Sequence, residues 1–174
     1  MSTSATQKAN LAAAFIGELQ HEAATTRKIL ERIPAEKFDY KPHEKSMTMG
    51  RLAVHVAEMV NWVTVTCTTS ELDFAAMDMT PFAPKTTAEL VEYHEKNFVE
   101  AVEALNNTSD EAMMETWTMR NGEQIYMAMP KIQTLRGMVF NHIWHHRGQL
   151  SVYLRLNDIS VPEIYGPSAD EGTM

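Results

Sequence analysis

Three histidines lie within five residues of this chain, at His142, His145 and His146, in its most strongly helix-patterned segment. Because an α-helix turns about 100° per residue, His142 and His146 lie on one face. With Leu135 as the centre of the apolar stripe, both fall within roughly 80° of it, whereas His145 lies about 80° to one side and Arg147 points towards solvent. Neutral imidazole is a common ligand of zinc, nickel, iron and copper, so two core-facing histidines favour a metal site. The alternative is a pair of buried neutral histidines that are hydrogen-bonded to core partners.

A pair of histidines does not hold a metal tightly, so a third ligand is needed. His55 is one candidate, because it lies core-side on a different predicted helix. His94 is its rival, because it lies nearer the middle of the apolar stripe of its own helix. His145 fits better as a residue at the rim of its helix, and His21 and His43 show no pattern that indicates a site.

The first predicted helix carries a second anomaly, because Glu22 and Thr26 lie inside its apolar stripe. A carboxylate in such a position is rarely left without a partner. Glu22 could orient a ligand histidine, act as a catalytic proton acceptor beside the metal, or form an ion pair with an arginine. The sequence leaves these alternatives open.

Four long amphipathic segments must position these side chains. The first runs from about Lys8 to Ile33, and the second begins near Thr48 as N-cap and reaches Cys67. The third begins with the capping-box pattern of Thr86 and Glu89, and ends at Asn106 and Asn107; the fourth is opened by Pro130 and runs to about Asn157.

A different pattern occupies residues 116–127, where Asn121-Gly122 stands between alternating apolar and polar residues. This pattern predicts a short β-hairpin before the fourth helix. The tail from Val161 to Ser168 contains two prolines and is expected to lie extended over the helices. The whole chain is therefore predicted to be all-α, a four-helix bundle in one domain over residues 1–174, with the hairpin as an excursion.

Composition narrows the classes of function. The formal net charge is −8 and no basic run is present, which argues against nucleic-acid binding. A single cysteine, Cys67, excludes an intrachain disulfide and a cysteine-based zinc motif. No apolar run approaches the ~18 residues that span a bilayer, and the N-terminal residues do not have the pattern of a signal peptide. We therefore expect a soluble cytoplasmic protein that does not bind membranes.

Two longer stretches carry a family resemblance. HIWHHRGQLSVYLRL, which starts at His142, and VPEIYGPSADE, which starts at Val161, look like the C-terminal signature of the DinB/YfiT-like family. RIPAEKFDYKPHEKSMTMGRLAVHVAE, which starts at Arg32, is similar to the upstream part of that family. The match covers nearly the whole chain in the right order.

The resemblance implies a four-helix bundle, often dimeric, that holds zinc or nickel. Its ligands would be one histidine of the second helix and the H-x-x-x-H pair of the fourth. In this chain these are His55, His142 and His146, which favours His55 over His94 as the third ligand. The resemblance assigns no role to Glu22 or His94.

Three neutral imidazoles leave coordination positions open, which is typical of a catalytic rather than a structural site. A metal there would acidify a bound water or a bound thiol. The resemblance extends to thiol-dependent isomerases, S-transferases and metal-dependent hydrolases. We therefore expect S-transfer from a low-molecular-weight thiol, or hydrolysis, on a small molecule, with Glu22 as candidate base, in a homodimer. The alternative is a non-enzymatic metal-binding stress-response protein with a structural or vestigial site.

Overall fold

The first helix begins at a side-chain cap. In the computed structural model, which describes residues 10–77, 80 and 82–173, helix α1 spans Leu11–Leu30. The side-chain oxygen of Asn10 accepts a hydrogen bond from the N–H of Ala12 at 2.7 Å, which satisfies one of the free donors of the first turn. The predicted beginning at Lys8 lies outside the described residues.

The remaining elements follow in chain order. They are α2 (Met49–Met59), α3 (Asn61–Thr68), β1 (Glu71–Asp73), α4 (Thr87–Asn106), α5 (Asp110–Met113), β2 (Thr116–Asn121), β3 (Gln124–Pro130), α6 (Lys131–Gln133), a π-helical segment (Thr134–Phe140) and α7 (Asn141–Leu156). Single 3₁₀ turns cover Ala35–Lys37 and Phe74–Ala76. The second predicted helix is thus divided at Val60 into α2 and α3.

Thr48 begins helix α2 as predicted, because its hydroxyl accepts a hydrogen bond from the N–H of Arg51 at 3.1 Å. The preceding loop is held close to this first turn, where Gly50 donates its N–H to the carbonyl of Phe38 at 2.9 Å. A Cβ at Gly50 would stand only 2.9 Å from the Cβ of Phe38, so glycine permits the close approach. These contacts fix the beginning of the helix that carries His55.

The long helices contact one another in a closed ring. Helix α1 packs on α4, α4 packs on α2 and α3, α2 packs on α7, and α7 packs back on α1. The predicted N-cap of α4 is confirmed, because the hydroxyl of Thr86 accepts from the N–H of Glu89 at 3.1 Å. The Glu89 carboxylate accepts from the N–H of Lys85 rather than from that of Thr86. The apolar core lies inside this ring.

The fourth predicted helix is interrupted by the π-helical segment, and this changes which residues face the core. A π turn contains more residues than an α turn, so the face of the helix that follows is displaced by about one residue, or roughly 100°. Arg147 is consequently buried, with 1% of its surface exposed, and the prediction that it faces solvent is wrong. His142 and His146 are half-buried at the edge of the core.

The sheet differs from the predicted excursion. Strands β2 and β3 pair antiparallel and are joined by Gly122 and Glu123, with Gly122 at a φ of 57° that favours glycine. Strand β1 adds to β2 in parallel, so the sheet is mixed and has three strands in the order β1-β2-β3. The fold is therefore mostly helical with a small mixed sheet, which corrects the all-α prediction. Trp117 of β2 is fully buried and anchors the sheet.

The C-terminal tail lies across α1 and α7. The Arg32 guanidinium binds the carbonyl of Ser160 at 3.3 Å and the carboxylate of Glu171, and Arg155 of α7 pairs with Asp170. None of the helices in the described ranges is long and apolar enough to cross a membrane.

Candidate metal centre

Helices α2 and α7 bring three histidines together. Each of His55, His142 and His146 offers one ring nitrogen, and these three nitrogens lie within 4.8 Å of one another. The four-residue spacing of His142 and His146 is preserved because regular α-helix resumes at Asn141, after the π-helical segment. The packing of α2 on α7 then supplies His55 from the opposite side. The sequence indicated the pair on α7, and the family resemblance indicated His55 as the third residue.

Two of the rings are oriented by hydrogen bonds on the side away from the cluster. The Nδ1 of His55 lies 2.8 Å from Oε1 of Glu58, and the Nδ1 of His146 lies 2.7 Å from Oε1 of Gln149. A carboxylate oxygen and an amide oxygen only accept, so each Nδ1 carries the hydrogen and each Nε2 keeps its lone pair. Metal-binding histidines commonly have such a partner on the other ring nitrogen.

Burial and neighbouring histidines keep the two rings of α7 neutral. Burial is the main cause that lowers the pKa of His142 to about 4, with a further contribution from the charges of His146, His55 and His145. The pKa of His146 is also lowered by burial, which outweighs the hydrogen bond to Gln149. Both rings are therefore neutral at neutral pH, with one nitrogen free to accept, which is the form that binds metals.

The spacing of two of the three nitrogens fits a metal directly. The Nε2 atoms of His55 and His142 lie 3.2 Å apart. Two nitrogens at about 2.0–2.1 Å from a tetrahedral zinc are separated by about 3.3 Å. Neutral imidazoles without a carboxylate or thiolate ligand suit zinc, nickel, cobalt or iron, so the donor set fits a divalent transition metal without selecting one.

Glu58 supplies a charge next to this cluster. Its Oε1 also accepts from both terminal nitrogens of Arg51, each at 3.0 Å. Burial opposes ionisation of Glu58, but the hydrogen bonds and charges of His55 and Arg51 outweigh it, so the pKa of this carboxyl lies below its ordinary value. Glu58, Arg51 and Gln149 did not figure in the sequence prediction. The signal that could have found the two acceptors is that each stands three residues after a ligand histidine, on the same helix face.

The other histidines do not join the cluster. His94 is buried, with 1% of its surface exposed, and its Nε2 lies 3.3 Å from the carbonyl of Ala23 on α1. His145 is exposed, and its ring lies edge-on to that of His146, at 4.9 Å between centroids. His21 and His43 are exposed.

Glu22 contacts Arg147 and Tyr165 rather than the histidines. Its Oε2 lies 2.6 Å from Nη1 of Arg147 and accepts a hydrogen bond from the hydroxyl of Tyr165 at 2.8 Å. Arg147 also donates to the Thr26 hydroxyl at 3.2 Å. The two polar residues in the stripe of α1 are therefore matched by one buried arginine of α7. Of the alternatives left open for Glu22, these contacts support the ion pair.

Comparisons with known proteins point to one family. The model of the DinB family matches residues 1–173. The uncharacterized protein YrdA of Bacillus subtilis (strain 168) is 27% identical over 163 residues, which cover 90% of this chain and 89% of that protein.

Solved structures with the same fold include two DinB-like proteins. One from Bacillus cereus ATCC 10987 has a TM-score of 0.66 at 22% identity, and covers 88% of this chain and 97% of its own. The other, YjoA of Bacillus subtilis, has a TM-score of 0.68 at 17% identity, and covers 87% of this chain and 96% of its own.

Proposed function

This chain belongs to the DinB family, and we propose that it binds a divalent metal ion through His55, His142 and His146 for chemistry on a small molecule. The observation that carries the proposal is the meeting of three imidazole nitrogens within 4.8 Å, two of them on rings whose other nitrogen is already hydrogen-bonded. The ring of helix contacts supports, in addition, the four-helix bundle that the family resemblance implies.

The chemistry we propose is S-transfer from a low-molecular-weight thiol, or hydrolysis. A bound divalent metal with open coordination positions supplies a Lewis acid that activates a thiol or a water. The chain itself supplies three imidazole ligands, and Glu58 and Gln149 accept the hydrogen bonds that hold two of those rings in place. Zinc and nickel are the metals we expect first.

One observation favours the alternative, a metal-binding protein without catalysis. Glu58 is the carboxylate that touches a ligand, and its Oε1 already binds His55 and Arg51, while Glu22 is paired with Arg147. Glu22 is therefore not available as a base in this arrangement, and Glu58 already holds a ligand ring through its Oε1. Activity assays distinguish the two proposals.

Metal content tests the site. We expect untagged protein to retain about one equivalent of zinc or nickel after dialysis, measured by elemental analysis, and His146→Ala to lose it. His145→Ala is the matched control, because His145 lies beside the cluster but is exposed. The proposal fails if wild-type protein retains no metal and its melting temperature does not respond to His146→Ala.

Turnover tests the chemistry. The metal-loaded protein is assayed with a panel of electrophiles in the presence of glutathione, bacillithiol or mycothiol, and with a panel of ester and amide substrates. We expect thiol- or water-dependent turnover that His55→Ala abolishes. Stoichiometric metal without turnover on either panel supports the non-enzymatic alternative. A homodimer and a cytoplasmic location stay predictions.

A further inference from the structure

One oxygen atom of Glu58 accepts hydrogen bonds from two side chains on the same helix. Oε1 lies 2.8 Å from Nδ1 of His55 and 3.0 Å from each terminal nitrogen of Arg51. Arg51, His55 and Glu58 are spaced four and three residues apart on α2, so they lie along one helix face. The side chains of His55 and Glu58 are only 18% and 23% exposed, which strengthens the interaction relative to one in water.

This contact determines the tautomer of His55. Because an ionised carboxylate has no hydrogen to donate, the hydrogen of the contact belongs to Nδ1 of His55. The lone pair is then on Nε2, the atom that lies 3.2 Å from Nε2 of His142. Glu58 therefore selects the nitrogen that faces the cluster.

The second oriented ligand has a neutral partner in place of a charged one. Gln149 stands three residues after His146, as Glu58 stands three residues after His55, and its amide oxygen lies 2.7 Å from Nδ1 of His146. The two contacts have the same sequence spacing and nearly the same length, 2.8 and 2.7 Å, but differ by one negative charge. A charged acceptor at His55 can therefore be compared with a neutral acceptor at His146 within the same protein.

Arg51 restrains the carboxylate. Both of its terminal nitrogens bind the oxygen that His55 also uses. The fork of the guanidinium limits rotation of the carboxylate, which keeps Glu58 beside Nδ1 of His55. Without Arg51, Glu58 would be free to turn away or to approach the metal directly.

We propose that Glu58 is a positioning residue of the metal centre, which holds His55 in its Nδ1–H tautomer and supplies the negative charge that raises metal affinity, and that Arg51 holds Glu58 in place. This inference rests on the proposed metal site and deepens it. Removing an acceptor of this kind lowers metal affinity by about 10- to 100-fold. The charge accounts for part of the effect, and the hydrogen bond accounts for the rest.

Zn²⁺ and Co²⁺ titrations of a small set of variants test the proposal. Against a competing chelator, we expect Glu58→Ala to weaken Zn²⁺ binding by about 10- to 100-fold and Glu58→Gln, which keeps an acceptor oxygen, to weaken it less. Gln149→Glu introduces the charge at the other ligand and should tighten binding. The Co²⁺ absorption bands should shift in Glu58→Ala, because the orientation of His55 changes.

The matched control is Glu31→Gln. Glu31 pairs with Arg27 on α1, away from the cluster, so this variant removes a similar charge from a helical ion pair and should bind Zn²⁺ as wild type does. Nitrogen chemical shifts of the metal-free protein provide a readout that is independent of metal. In wild type they should report Nδ1–H at His55; in Arg51→Ala, which frees Glu58, that preference should weaken, and in Glu58→Ala it should be lost.

The outcomes separate this inference from the function on which it rests. If wild-type protein binds neither ion, the proposed function fails and this inference fails with it. If wild type binds Zn²⁺ but Glu58→Ala, Glu58→Gln and Gln149→Glu all stay within twofold of it, the metal site stands and the role of Glu58 is overturned. A His55 tautomer that is unchanged in folded Glu58→Ala overturns it as well.

Discussion

Arg147 is the most deeply buried charged side chain of α7, and three residues from two other parts of the chain surround it. Its guanidinium contacts the Glu22 carboxylate at 2.6 Å, the Thr26 hydroxyl at 3.2 Å and the Tyr165 hydroxyl at 2.5 Å. The contact links α1, α7 and the C-terminal tail. A buried pair of this kind is destabilising when one partner is removed, because the other charge then stays buried without compensation.

Glu22→Ala should therefore lower the free energy of unfolding by about 3 kcal/mol, measured by urea denaturation of the metal-free protein. Tyr165→Phe removes a hydroxyl but leaves the ion pair, and should lower it by about 1 kcal/mol. Metal affinity should be unchanged in both variants. A normal stability with a greatly reduced metal affinity in Glu22→Ala would instead support a role of Glu22 beside the metal.

His94 adds a pH dependence to the stability of the fold. Burial is the main cause that lowers its pKa to about 4 from the ordinary value of 6.5, and the charge of Arg27 lowers it further, against the hydrogen bond to Ala23. Because the pKa is lower in the folded state, the unfolded chain binds the proton first as the pH falls. The contribution of neutral His94 is complete above pH 6.5, declines between pH 6.5 and 4, and then levels off.

Over that pH range His94 should account for a loss of about 3 kcal/mol of stability. We expect the unfolding free energy of His94→Leu, measured between pH 4 and 7, to depend less steeply on pH than that of wild type. His145→Leu serves as the control, since His145 is exposed. Parallel pH profiles for wild type and His94→Leu would contradict the assignment.

At the scale of elements, the π-helical segment determines how the last long helix presents its side chains. Uniform α-helical geometry over residues 130–157 places His142 and His146 at the centre of the apolar face and Arg147 towards solvent. The extra residue of the π turn moves the buried face to Ile143, Arg147, Leu150 and Leu154. The spacing of the histidine pair could be predicted from the sequence, because it depends only on local α-helix. The position of the pair relative to the core could not, because nothing in the apolar pattern shows where a π turn begins.

Deleting Gly137, which lies in the π-helical segment, should convert this segment to regular α-helix and leave the face of α7 unchanged, because the π turn accommodates one extra residue. We expect this variant to stay helical by circular dichroism and to bind Zn²⁺ as wild type does. Deleting Gly137 together with Met138 removes one residue more and should rotate α7 by roughly 100° relative to the residues before it. That variant should bind Zn²⁺ at least about 100-fold more weakly, because two of the three ligands turn away from His55. Equal weakening in both deletion variants would contradict the proposed effect of the π turn.

At the scale of the whole molecule, the candidate site exists only because two helices that are far apart in sequence pack together. The pair on α7 follows from local spacing, but the choice between His55 and His94 depends on tertiary packing, and the sequence alone left it open until the family resemblance favoured His55. The structure places His94 against α1 instead, where it contacts the Ala23 carbonyl. Strand β1 was not predicted for the same reason. Its parallel pairing with β2 is a long-range contact, and three residues are too few to show a strand pattern in the sequence.

A metal that joins α2 to α7 must stabilise the whole fold, because only the folded chain brings the three ligands together. At a free metal concentration of about 1,000 times Kd, binding adds about 4 kcal/mol to the free energy of unfolding. For a chain of this size, each kcal/mol raises the melting temperature by about 2–4 °C, so Zn²⁺ should raise it by about 8–16 °C.

EDTA should reverse the increase. Mg²⁺, which prefers oxygen ligands, should have no effect, and His55→Ala should melt at the same temperature with and without Zn²⁺. An equal increase in His55→Ala would mean that the metal binds elsewhere and that the packing of α2 on α7 does not create the site.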